Sequence, residues 1–168
     1  MRARIAVIGL DGPLSLEVAK MAETVGVGIA RAGCILICGG RGGIMEAAAR
    51  GAKDAGGTTV GILPSFDKAE ANPYIDIAIT TGMGYTRNSL VVGSADAVIA
   101  LAGSTGTLSE MAMALNFKKP VIAVKGSGGT ADAIGEAFPG NELIASIIKA
   151  EADEAVDAAL EAAGITPQ

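Results

Sequence analysis

The sequence predicts an α/β fold, Rossmann-like and doubly wound, with a mainly parallel sheet carrying helices on both faces. Three observations predict it. Short β-branched runs recur at 4–9, 35–38, 58–63, 75–80, 96–101 and 120–124. Longer segments of helical period separate them. The runs at 35–38, 96–101 and 120–124 are almost continuously apolar rather than alternating, as in strands buried on both faces. Right-handed crossovers between such strands wind the sheet in two directions, and a ligand is expected beyond the strands' carboxyl ends where the winding reverses.

The helical segments carry apolar stripes that can cover a sheet face. Val18, Met21, Ala22, Val25 and Ile29 form one; Ile44, Ala47, Ala48, Gly51 and Ala55 form a second; Leu108, Met111, Ala112 and Leu115 form a third. The stretch 141–164 reads as one helix, with Ala152, Ala155, Val156, Ala159 and Leu160 on its apolar face and Glu151, Asp153, Glu154, Asp157 and Glu161 on a solvated one. The loop 64–73 reads as a surface connection in preference to a lid. With 168 residues, half of them apolar, residues 1–168 are expected to form one Rossmann-like domain. The 24 glycines and 3% aromatics suit tight turns between closely packed elements.

Charge and composition exclude several kinds of chemistry. A net charge of −5, a pI near 4.7 and no Lys/Arg cluster argue against nucleic acid as a partner, because binding its backbone needs a basic surface. No run approaches the length of a membrane span, and the apolar stretch 5–10 is interrupted by Asp11, so a cytoplasmic protein is expected. Cys34 and Cys38, read as lying in one strand, would stand roughly 13 Å apart, too far for a disulfide. They are expected to be small core thiols. The chain has no His, which excludes Ser-His and Cys-His catalysis and a Cys/His metal site; proton transfer would fall to a carboxylate, and no metal ligand set is expected.

Three glycine-containing segments can carry chemistry. The first, Gly39-Gly40-Arg41-Gly42-Gly43, ends a buried strand and begins a helix, where backbone amides and the positive helix end can hold an anion. Met45 and Glu46 adjoin it. Glu46 and Arg50, four apart, read as a surface ion pair. The second, Gly103-Ser104-Thr105-Gly106-Thr107, repeats the arrangement and leads to Glu110. Thr107 and Glu110 have the spacing of a capping box, which leaves Glu110 open to capping, to function or to both. Between them, 80–88 leads from a strand into a helix and brings Arg87 and Asn88 toward the same rim. Arg87 is either a phosphate or ribose ligand or an exposed arginine paired with a nearby acid.

These segments, in this order, resemble the Lonely Guy family and its molybdenum cofactor carrier-like branch. Some members once bore the label of lysine decarboxylases. The resemblance implies a Rossmann-like homodimer or homotetramer that takes a small phosphorylated ligand. Its phosphoribohydrolase members split nucleoside 5′-monophosphates into base and ribose 5-phosphate. Their Pro-Gly-Gly-x-Gly-Thr-x-x-Glu signature falls on 102–110, which makes Glu110 the implied catalytic carboxylate; their essential arginine falls on Arg87. This chain has Ala102-Gly103-Ser104 in place of Pro-Gly-Gly, Asn88 in place of a lysine, and Gly9-Leu10-Asp11-Gly12 where the family often has Gly-Ser. The segments 82–88 and 71–74 (Ala-Asn-Pro-Tyr) are more like the carrier branch, whose cargo is the phosphorylated pterin of molybdenum cofactor. Three readings therefore stand side by side: phosphoribohydrolase, pterin phosphate carrier, and a structural oligomer whose glycine turns only shape the fold.

Overall fold

The computed structural model of the chain describes residues 1–137 and 140–166. Seven strands form one all-parallel sheet: β1 (Arg4–Gly9), β2 (Ile35–Cys38), β3 (Thr58–Leu63), β4 (Ile77–Thr80), β5 (Ala97–Leu101), β6 (Val121–Val124) and β7 (Ile148–Ala150). Their order is β4-β3-β2-β1-β5-β6-β7. The chain builds outward from β1 to β4, returns to the centre, and builds outward again from β5. The winding reverses between β1 and β5, which run in register from Ile5 beside Ala97 to Gly9 beside Leu101.

The period of two along β1 divides the core. Ile5 and Val7 face a cluster completed by α1 (Leu16–Arg31), α2 (Ile44–Asp54) and α7 (Ala155–Ala162). Ala6 and Ile8 face the other cluster, completed by α3 (Asn88–Gly93), α4 (Thr105–Asn116) and α5 (Gly129–Ala137). Strands β5 and β6 are buried throughout, as their unbroken apolar runs predict. The β4 edge is exposed at every residue and begins at Ile77, two residues later than its sequence run.

Helices α1 and α2 touch through glycine. A side-chain carbon on Gly26 would enter the space of the Ala48 carbonyl, and one on Gly51 would strike the Glu23 carbonyl. Each helix therefore presents bare backbone to the other. Ser15 starts α1 by accepting the Val18 amide at 3.2 Å.

Several expectations change. The stretch 141–164 is not one helix: it divides into α6 (Glu142–Ala145), β7 and α7. Strand β7 is three residues long and only its Ala150 is buried, too short for an alternating pattern to show against the alanine-rich background. The C-terminal half of the reading holds, with Ala155, Val156, Ala159 and Leu160 buried and the acids turned outward. In α4 the buried stripe runs through Thr107, Glu110, Met111, Ala114 and Leu115, whereas Ala112 is exposed. Arg50 pairs with Glu23 of α1 and lies over the Tyr74 ring at 6.0 Å, so the expected Glu46–Arg50 pair is replaced by one between helices. Cys34 precedes β2 instead of lying within it; it and Cys38 are buried free thiols.

The backbone contact at α1 and α2 leaves no room for a methyl group. Gly51→Ala is expected to destabilise the fold by about 1–3 kcal/mol through overpacking, read as a lowered denaturant midpoint at unchanged slope.

Candidate functional site

A cavity of about 720 Å³ opens at the carboxyl ends of β1 and β5, where the winding reverses. Gly9 and Asp11 close it from the β1 side, Gly39, Arg41 and Met45 from the first glycine loop, and Arg87 and Asn88 from the start of α3. Ser104, Thr105, Gly106, Thr107 and Glu110 line the opposite wall, with Pro64 and Tyr85 at its edge.

Helix α4 begins in this wall without a cap. Ser104 holds the N-cap position but makes no side-chain hydrogen bond to the first turn, so the amides there and the positive helix end are left for a ligand. The expected capping box is absent: Thr107 is already inside the helix, and Glu110, one turn in, is buried against the cavity. Its carboxylate is free of helix capping. The loop before α4 is held from behind. Ala102 has a left-handed φ of 51°, and its amide donates to Ser127 Oγ at 2.9 Å; Ser127 donates in turn to the Val124 carbonyl at 2.7 Å. A proline at this backbone would need φ near −65° and would lose that amide bond. Ala102 thus holds a backbone conformation that a proline does not adopt.

Arg87 is 8% exposed, which rejects the reading of a surface arginine. Its Nη1 donates to Asn88 Oδ1 at 2.7 Å and its Nη2 to the Gly39 carbonyl at 3.2 Å. A side-chain carbon on Gly39 would come within 2.7 Å of both Nη1 and Met45 Sδ, so glycine is required here for the guanidinium to lie against the backbone. The Nε of Arg87 is buried with no partner. Glu110 Oε1 stands 3.9 Å from Nη1, a loose pairing for two groups each less than a tenth exposed.

Burial dominates the electrostatics of this pair. Desolvation pushes the Glu110 carboxyl up to about 7, with the Arg87 charge pulling the other way. Desolvation also lowers Arg87, against the attraction of Glu110, but a guanidinium stays cationic throughout the neutral range. Near neutral pH Glu110 therefore exchanges its proton readily, beside a fixed positive charge.

The first glycine segment contributes less than its sequence suggests. Gly39 and Arg41 line the cavity, while Gly40, Gly42 and Gly43 do not. The Gly40 amide donates to Cys38 Sγ at 3.3 Å and the Ile44 amide to the Leu10 carbonyl at 2.9 Å, so both are already used. Burial raises that thiol to about 12, which makes Cys38 an inert acceptor. Glu46 lies outside the wall, and Gly103 lines a smaller hollow of about 240 Å³ next to it. Among the described residues no cluster of three or more His, Cys, Asp or Glu could hold a metal ion.

Nothing in its residue type marks Asn72 as part of the site. It is buried in the 64–73 loop and donates from Nδ2 to the carbonyls of Gly40 and Arg41 at 3.2 and 2.8 Å. That connection thus braces the first glycine loop. Its one sequence signal is the Ala-Asn-Pro-Tyr segment, where an asparagine before a proline marks a turn.

The sequence matches the model of the SLOG cluster4 family over residues 2–156. The chain belongs to the SLOG cluster4 family. Within the Lonely Guy superfamily, this SLOG chain lies on the molybdenum cofactor carrier-like branch. It is similar to the molybdenum cofactor binding protein of the phototrophic bacterium Rippkaea orientalis, at 36% identity and a TM-score of 0.86 over 96% of each chain. It is also similar to the molybdenum cofactor carrier protein of Chlamydomonas reinhardtii, at 32% identity and a TM-score of 0.81 over 96% of this chain and 98% of that one. A cytokinin riboside 5′-monophosphate phosphoribohydrolase of Mycobacterium tuberculosis is 34% identical over 110 residues, 64% of this chain and 59% of the relative. The SLOG chain therefore spans well under two thirds of that enzyme. No described helix is long and apolar enough to cross a membrane.

The raised Glu110 value fixes the sign of a pH effect. Because the folded value lies above the ordinary 4.5, the stability this group contributes is complete below pH 4.5 and is lost as pH rises through about 7. Glu110→Gln, which mimics the neutral acid, is expected to gain stability relative to the parent between pH 5 and 8, by on the order of 2–3 kcal/mol. Paired thermal melts at the two pH values check it; a constant difference would contradict it.

Proposed function

We propose that the cavity binds a small phosphorylated, nucleotide-type ligand, with its phosphate on the uncapped start of α4 and on Arg87. The observation that carries this reading is the guanidinium of Arg87, held in the wall of the same cavity as the free first-turn amides of α4. A cationic fork and a positive helix end are together complementary to a phosphate. Gly39, Gly106 and Thr107 supply close backbone approach, and Asn88 fixes the guanidinium plane.

The chemistry favoured by the site is hydrolysis of the N-glycosidic bond of a nucleoside 5′-monophosphate. Glu110 is the buried carboxylate of the wall, and a pKa near 7 suits a group that must both take and give a proton. As the bond from C1′ to the base breaks, charge on the ribose is offset by the Glu110 carboxylate. A water attacks C1′ and gives one proton to Glu110, which passes it to the departing base nitrogen, so that free base and ribose 5-phosphate are formed and the carboxylate is restored. Arg87 holds the phosphate throughout, so the ribose cannot drift from the carboxylate.

The second reading is a carrier of pterin phosphate cargo, with molybdenum cofactor as the candidate cargo. It is favoured by Asn88: its Oδ1 accepts from Arg87 where the phosphoribohydrolases have a second cation, so one positive charge of their site is missing. It is favoured too by similarity to the cofactor-binding relatives along nearly the whole chain. Both readings share the phosphate site.

Free base released from a panel of nucleoside 5′-monophosphates, measured chromatographically, separates them. Hydrolysis predicts release that Glu110→Gln abolishes; carriage predicts no release but ligand-induced thermal stabilisation of parent and variant alike. In either case Arg87→Met is expected to weaken ligand binding by about tenfold or more, the loss expected from one charge-assisted contact of about 1.5–3 kcal/mol. Unaltered binding by that variant would reject the phosphate assignment.

A further inference from the structure

Asp11 is out of place in a phosphate site. It occupies the turn after β1, lines the cavity, and carries a negative charge that repels a phosphate. A phosphorylated ligand must therefore turn some other part toward it. Directly beside it is Arg41, which lines the same cavity; Arg41 Nε and Asp11 Oδ2 are 3.4 Å apart, long for a charge-assisted hydrogen bond. Both side chains are a little under half exposed, so neither is locked away by the protein. Asp11 Oδ1 lies over Gly42, 3.4 Å from where a side-chain carbon would stand. Glycine there leaves the carboxylate open.

A carboxylate and a guanidinium side by side present two acceptors followed by two or more donors. Few heterocycles match that order along one edge. A 2-amino-4-oxopyrimidine fused to a second nitrogen ring does: its amino group and adjacent ring N–H are two neighbouring donors, and its carbonyl oxygen and the nearest nitrogen of the fused ring are two neighbouring acceptors. Guanine and pterin share this edge. Adenine reverses it, and hypoxanthine lacks the amino donor.

We propose that Asp11 and Arg41 together read the 2-amino-4-oxopyrimidine edge of the ligand, making guanine-type nucleotides and pterin phosphates its substrate class. The inference rests on the phosphate reading of α4 and Arg87, and adds to it the far end of the ligand. Both ends belong to one cavity of about 720 Å³, lined by Asp11 and Arg41 as well as by Arg87 and the start of α4. Met45 and Pro64 also line the cavity and offer apolar surface for a planar ring.

Isothermal titration with GMP, IMP, AMP and neopterin monophosphate tests it, because all four carry a phosphate and differ in the edge. GMP and neopterin monophosphate are expected to bind about tenfold or more tightly over AMP, with IMP weaker than GMP. Asp11→Asn is expected to collapse the GMP-to-AMP ratio toward one. Asp11 is partly exposed, so this variant retains the fold. If all four bind alike and Arg87→Met weakens all of them, the phosphate site stands and edge recognition is overturned. Tighter binding of AMP, or a ratio unchanged by Asp11→Asn, overturns it equally. If no ligand binds, the phosphate reading and this inference fall together.

Discussion

The pairing of β1 with β5 is the constraint on which the rest of the molecule depends. Two parallel strands that are neighbours in the sheet but far apart in sequence send their following helices to opposite faces, so the connections diverge and leave a crevice above them. Gly9 ends one strand directly against Leu101 at the end of the other, so close that a side-chain carbon would stand 2.7 Å from Ile44 Cγ1 and would also strike the Leu101 carbonyl. The crevice floor is therefore bare backbone. The cavity, the start of α4 and the bracing of the 102–104 loop by Ser127 are all arranged around it.

Into this crevice the fold places a charge that is costly to bury. Arg87 and Glu110 are both nearly inaccessible, yet 3.9 Å apart and not hydrogen-bonded as a fork. A buried pair repays its desolvation only with close geometry and full hydrogen bonding, and this one has neither, since Nε remains unpartnered. The protein holds Arg87 instead with a backbone carbonyl and Asn88, which fix its position while leaving part of its donor capacity unspent. Such an arrangement sacrifices stability in the free protein for a site whose donors are already oriented.

Much of the fold was legible because the strands are apolar on both faces and the glycine turns punctuate them sharply; six of the seven strands fall within the β-branched runs. The seventh, β7, was hidden: three residues at a sheet edge cannot display a period, and the surrounding alanines favour a helix. At the site, local rules pointed partly astray. Thr107 and Glu110 fit a capping box by spacing, yet the chain enters α4 three residues earlier, which turns Glu110 inward. Arg87 could not be told from a surface arginine, because its burial depends on Gly39, 48 positions away. The first glycine segment looked like a full anion cradle, but the Leu10 carbonyl and Cys38 Sγ consume amides it would have offered. Asn72 acts through carbonyls more than 30 positions distant, which no local pattern encodes.

The proposed site seats a phosphate between the start of α4 and Arg87. A crystal structure of the protein soaked with GMP tests it most directly. Phosphate density is expected within hydrogen-bonding distance of the Thr105 to Thr107 amides and of the Arg87 guanidinium, with the remainder of the ligand extending along the cavity. Phosphate density on the Gly40 to Gly43 loop instead, or a ligand bound outside this crevice, would contradict that placement.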